Sequence, residues 1–82
     1  MTKATYLKSV SHYTGLVSEG KTTYVNLIDC ATSKPIAGSL DFARANGIKT
    51  YGPKNEAFRN ARKVAKMLGY KVVPKNEARD YA

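Results

Sequence analysis

The residues of this sequence best placed to do chemistry are cations. Arg59, Arg62, Lys63 and Lys66 are spaced three, one and three apart. On a helix that spacing stacks all four along one stripe. No carboxylate falls among them, and Glu56 lies a turn earlier. Like charges this close on a helix repel by about 0.2–0.5 kcal/mol per pair, so the arrangement is mildly destabilising. A ridge that contacts phosphates needs long cations at helical spacing and no competing anions. A solvated basic face is the plainer reading of the same residues. Lys54 and Lys71 flank the stripe and extend the candidate phosphate contacts.

A second candidate surface lies in the first half of the chain. If Leu7, Val25 and Leu27 point inward, strand alternation sends Tyr6, Lys8, Tyr24 and Asn26 to the opposite face, with Lys21 at the turn before them. Tyrosine beside lysine on an open sheet can stack bases or grip a backbone. The same rings also suit covering the sheet, and general burial statistics favour that role. Catalytic signals are sparse. His12 has no carboxylate or cysteine close by in sequence, and Cys30, next to Asp29, fits a small buried hydrophobe. One histidine and one cysteine do not make a self-contained His/Cys metal site. No Ser/His/Asp set, paired-acid set or Walker-type glycine loop occurs. A non-catalytic protein without a cofactor is expected.

The elements that must hold these side chains follow from pattern. Ala4 to Val10 and Thr22 to Asp29 have strand composition, separated by the Ser18-Glu19-Gly20-Lys21 turn signal. The second strand has apolar groups on both faces, which points to a central position. Ala31 to Pro35 is another turn, and Ile36 to Leu40 is expected to run back as a short third strand. Ser39 or Asp41 can cap a short helix through Ala45, stopped by Asn46-Gly47. A long helix is expected from Pro53–Asn55 to Gly69, with Phe58, Ala61, Ala65 and Leu68 on one apolar face. Tyr70 to Val73 reads as an edge strand ended by Pro74. Pro53-Lys54-Asn55-Glu56-Ala57 recurs as Pro74-Lys75-Asn76-Glu77-Ala78. That is a reused helix-start signal, so residues 75–82 should form a short helical turn or fray.

Composition sets the outer limits. The 82 residues make one domain, 43% apolar and 24% charged, an ordinary globular composition. Fourteen Lys and Arg against six Asp and Glu leave +8, a field that favours nucleic acid, an anionic membrane surface or an acidic protein patch. Residues 53–82 hold eight of those cations against three acids, so the denser charge coincides with the long helix. No apolar run nears the roughly 20 residues of a membrane span, and the N-terminal residues lack the apolar stretch of a secretory signal. The single cysteine suits a reducing cytoplasm.

Three short strands followed by a packed helix resemble two groups of small DNA-binding domains, the AP2 domains and the arm-binding domains of tyrosine integrases. The matching residues are Tyr6 to Val10, Gly20 to Asp29, the Lys34-Pro35-Ile36 turn, Gly38 to Phe42, and a helix with alanines at 57, 61 and 65. In those families the sheet enters the major groove, so the resemblance implies base-reading roles for Lys8, Lys21, Tyr24 and Asn26. Leu40 to Ile48 also looks like the first helix of a helix-turn-helix, but Gly52-Pro53 delays the second.

The expected architecture is α+β: an antiparallel sheet of three or four strands, residues 1–74, with one long amphipathic helix packed on one face. The expected function is charge-driven binding to nucleic acid, DNA ahead of RNA. The competing expectation is a virus- or mobile-element-encoded inhibitor or adaptor that engages an acidic surface of a host protein.

Overall fold

A computed structural model describes residues 3–13 and 21–82, with His12, Tyr13 and Lys21 described by their backbone alone. The Ser18–Gly20 part of the expected turn and the Lys21 side chain therefore lie outside the described residues. Two long strands, β1 (Ala4–Tyr13) and β2 (Lys21–Asp29), pair antiparallel, with Leu7 opposite Leu27 and Tyr6 opposite Ile28. This register puts Leu7, Val25 and Leu27 on one face, where they join the main core. Thr5 is fully buried among them, and its hydroxyl donates to the Ile28 carbonyl at 2.8 Å. That bond offsets the penalty of an interior hydroxyl.

The chain leaves β2 through a compact turn. The Asp29 carboxylate accepts from the Ala31 N–H at 2.9 Å, and the Asp29 carbonyl accepts from the Ser33 N–H at 2.8 Å. The third strand, β3, is only Lys34–Pro35. The expected strand over Ile36–Leu40 does not form. Ile36 makes one last edge bond, its N–H to the Leu27 carbonyl at 2.9 Å. Gly38 then takes φ +76° and turns the chain into a helix, α1, spanning Ser39–Ala45. Ser39 and Ala43, four apart, are buried on one side of that helix. Neither Ser39 nor Asp41 caps it; Gly38 holds the cap position without a side-chain bond.

A two-residue strand, β4 (Tyr51–Gly52), pairs antiparallel with the Thr23–Tyr24 end of β2. The main helix, α2, covers Lys54–Met67. It is shorter than the sequence pattern implies and starts at Pro53 with no side-chain cap from Asn55. Its seat on the sheet is made of small residues: Ala57, Ala61, Val64 and Ala65 are fully buried. Alanines let the helix axis approach the sheet closely, and they fix its rotation. Both helices end as glycine predicts. Tyr70 donates to the Ala65 carbonyl and Gly69 to Lys66; Ile48 donates to Ala43 and Gly47 to Arg44. These are paired Schellman bonds, with Gly69 at φ +82° and Gly47 at φ +68°.

After α2, strand β5 (Lys71–Val72) runs parallel to β1, with Ala4 beside Lys71 and Thr5 beside Val72. Among the described residues the sheet is thus mixed and five-stranded, ordered β3-β2-β1-β5 with β4 also on β2. This corrects the expected antiparallel sheet of three or four strands. The reason is the crossover. β4 and β1 both run opposite to β2, and a helix connection returns the chain in the direction it left, which makes β5 parallel to β1.

The sheet's other face carries a second cluster of Ala4, Cys30 and Val73, joined by Tyr6, Ala78 and Tyr81. It is covered by a C-terminal 3-10 helix, Lys75–Tyr81. The repeated pentapeptide therefore starts two helices of different kinds. Ala57 donates to the Pro53 carbonyl, four residues back, at 2.9 Å; Glu77 donates to Pro74, three back, at 3.0 Å. The later residues decide between them. In the tail the apolar anchors Ala78 and Tyr81 are three apart, and residues three apart eclipse in a 3-10 helix.

Candidate nucleic-acid interface

The alanine seat of α2 determines where its cations point. With Ala57, Ala61 and Ala65 against the sheet, Arg59, Arg62, Lys63 and Lys66 occupy the opposite side, and all four are exposed. Among the described residues none of the four pairs with a carboxylate. The four heads are therefore available to an external anion. Arg62 lines a hollow with Leu7, Phe58, Val72 and Pro74, and Lys75 lines the same hollow. The C-terminal 3-10 helix thus adds a cation beside the stripe.

The two flanking residues behave differently from the four. Lys54 is exposed at the first turn of α2, but five residues before Arg59 means about 140° around the helix axis. It lies off the stripe. Lys71 is held elsewhere: its ammonium donates to the Tyr81 hydroxyl at 3.1 Å and sits 5.4 Å from the centre of that ring. Lys71 fastens the 3-10 helix to β5. Lys3 makes a similar contact, 5.6 Å over the Tyr70 ring.

The sheet residues divide as well. Tyr6, Lys8, Tyr24 and Asn26 do lie on the face turned from α2, since Tyr6 pairs with Ile28, Lys8 with Asn26 and Val10 with Tyr24. Tyr6, however, is half-buried against the second cluster. Lys8 and Tyr24 are exposed and Asn26 is half-buried. Tyr24 stacks on Tyr51 across the β2–β4 pairing, with ring centres 5.7 Å apart and planes 22° apart.

The structure adds residues that the sequence pattern did not single out. Leu40 and Arg44 on α1, Ile48 and Lys49 in the following loop, and Tyr51 on β4 converge with Tyr24 and Asn26 on a hollow of about 370 Å³. Asn60 on α2 donates to the Lys49 carbonyl at 2.8 Å and pins that loop to the helix. The Asn46-Gly47 stop and the Gly52-Pro53 break are the only sequence signals that bracket this loop.

Cys30 belongs to the second cluster and is buried. Burial pushes its thiol above the ordinary range, and the neighbouring Asp29 carboxylate adds to the shift. That is the opposite of an activated thiolate. Among the described residues no group of His, Cys, Asp and Glu could hold a metal ion, and no helix is long and apolar enough to cross a membrane. Comparison of the chain with protein-family models, with curated proteins and with solved structures yields no match.

Proposed function

We propose that this chain is a non-catalytic nucleic-acid-binding protein that meets the phosphates of duplex DNA with the outer face of α2. The observation that carries the reading is the set of four exposed cations, Arg59, Arg62, Lys63 and Lys66, on the side of α2 opposite its alanine seat. Their mutual repulsion opposes folding, and a bound polyanion relieves it. DNA is favoured over RNA on shape. A helix with its side chains is about 10–12 Å across, which matches the roughly 12 Å major groove of B-form DNA. The major groove of A-form RNA is too narrow and deep for side chains to read. Contacts of this kind bind with little sequence preference, because phosphates carry no base identity.

The resemblance to AP2 and integrase arm-binding domains implies a different docking, with the sheet in the groove. Lys8, Tyr24 and Asn26 on the uncovered part of the sheet favour that second mode.

The test is a variant in which Arg59, Arg62, Lys63 and Lys66 all become Gln, which keeps helix propensity and leaves the buried face untouched. Binding to random-sequence duplex DNA should fall on the order of a hundredfold or more at moderate salt. A parent protein that binds neither duplex DNA, single-stranded DNA nor RNA at low salt would overturn the reading and leave an acidic protein surface as the partner.

A further inference from the structure

The hollow beside the Tyr24–Tyr51 pair is not explained by phosphate contact. Leu40, Tyr24 and Tyr51 line it, yet they remain 50%, 45% and 48% exposed. Exposed apolar groups gathered around one hollow make it a candidate interaction site. Its volume of about 370 Å³ falls at the lower end of the range of about 300–1,000 Å³ found for small-ligand sites. Among the described residues, Arg44 and Lys49 are its only charged lining residues, both exposed, and no carboxylate lines it. The site therefore combines a stacked aromatic pair, an amide at Asn26 with both donor and acceptor groups, and two cations at the margin.

We propose that this hollow receives one unpaired nucleobase of a bound strand, stacked against the tyrosine pair, while Arg44 and Lys49 hold the adjoining phosphates. Every base has a π-face, so aromatic rings next to cations accept bases with little regard to sequence. The Asn26 amide can meet a base edge. The hollow also reaches the edge of α2. Lys49 lines both this hollow and a neighbouring one formed with Glu56 and Asn60 of α2. Asn60 holds the Lys49 carbonyl at 2.8 Å and is next in sequence to Arg59. A strand whose phosphates follow α2 would reach the rings by way of Lys49. Glu56 borders this path, and it disfavours phosphate at that one point. The inference deepens the nucleic-acid reading and rests on it for the class of partner alone.

The experiment measures binding of a short single-stranded oligothymidylate and of duplex DNA, with quenching of the tyrosine fluorescence as a second readout. Two variants are compared with the parent: Tyr24→Leu with Tyr51→Leu, and Arg44→Gln with Lys49→Gln. The leucine pair should lower the ratio of single-strand to duplex affinity by about 5- to 150-fold, the usual weight of one stacked base, and abolish the quenching. The glutamine pair should lower the same ratio in the same direction. Since Arg44 and Lys49 are exposed, that variant decides the matter if the leucine pair melts at room temperature. Unchanged single-strand affinity in a folded variant overturns the proposal, whatever the duplex result. Parent protein that loses single-strand binding on these substitutions but never binds duplex keeps this site and removes the α2 reading. Tyrosine quenching by an acidic leucine-containing peptide, with none by the oligonucleotide, also overturns it and makes the hollow a protein-docking site.

Discussion

The outer face of α2 and the outer face of the sheet both carry cations, but they place them among different neighbours. On α2 the exposed Arg59, Arg62, Lys63 and Lys66 stand with no aromatic ring on the stripe. On the sheet, Lys8 stands near Asn26 and Tyr24, and part of the face is closed by the 3-10 helix over Ala4, Cys30 and Val73. The difference separates two kinds of binding. A row of bare cations gains its affinity from counterion release and loses it steeply with salt. Rings and an amide beside a few cations add base stacking to that phosphate attraction. The fold keeps the two on opposite layers and connects them at one edge through the Lys49 loop.

The largest expected effect comes from reversing charge on one layer and then elsewhere. Arg62→Glu with Lys66→Glu should weaken duplex binding by more than a hundredfold at low salt, since two attractions become repulsions. Lys34→Glu with Arg79→Glu, made at exposed positions off the stripe, should weaken it far less. Equal losses in a filter-binding or anisotropy titration would erase the distinction between the layers.

A smaller effect should follow from disturbing the seat that aims the stripe. Ala61 is fully buried, so Ala61→Leu overpacks the helix–sheet contact and should lower stability by about 1–3 kcal/mol in urea unfolding. Affinity should fall as well, because the cations rotate with the helix. Lost stability with unchanged affinity would show that the orientation of α2 is immaterial.

Removing residues 75–82 sharpens the contrast from the sheet side. The deletion uncovers Ala4, Cys30 and Val73 and releases Lys71 from Tyr81. Stability should fall by about 1–2 kcal/mol, read as a lower melting temperature, and Cys30 should react faster with a thiol probe. A truncated chain that melts like the parent and stays unreactive would show that the tail covers nothing.

The smallest effect concerns Cys30 itself. Its folded thiol holds its proton to higher pH than the unfolded thiol, through burial and then Asp29. Between those two values the unfolded chain has already released the proton, so stability present below the ordinary thiol range near pH 8.5 declines as pH rises. Cys30→Ala should flatten that part of the decline in a series of unfolding curves between about pH 8 and 10. An unaltered slope would mean that the thiol sees water.

How far the sequence reveals this molecule depends on how local each signal is. Alternation in β1 and β2, the alanine spacing of α2 and the Gly47 and Gly69 stops are local, and the structure follows them. Ile36–Leu40 is apolar enough for either a strand or a helix, and the turn at Gly38 selected the helix. β4 and β5 have two residues each, too few for a period to show. Their pairing depends on where α2 delivers the chain, which is a tertiary matter. The four-residue stripe is legible because one helix carries it. The hollow is not, because Asn26, Arg44 and Tyr51 come from separate segments that only the folded sheet edge brings together. Lys71 was legible as a cation but not as a partner of Tyr81, whose position depends on the docking of the 3-10 helix.

The central claim is that α2 neutralises phosphates with four side chains. It is tested most directly by the salt dependence of duplex DNA binding, measured for the parent and for the variant with Arg59, Arg62, Lys63 and Lys66 changed to Gln. Each neutralised phosphate contributes about 0.9 to the slope of log affinity against log salt. The account predicts that the slope of the variant is smaller by about 3.6. Parallel lines, with the same slope before and after the substitution, would contradict it.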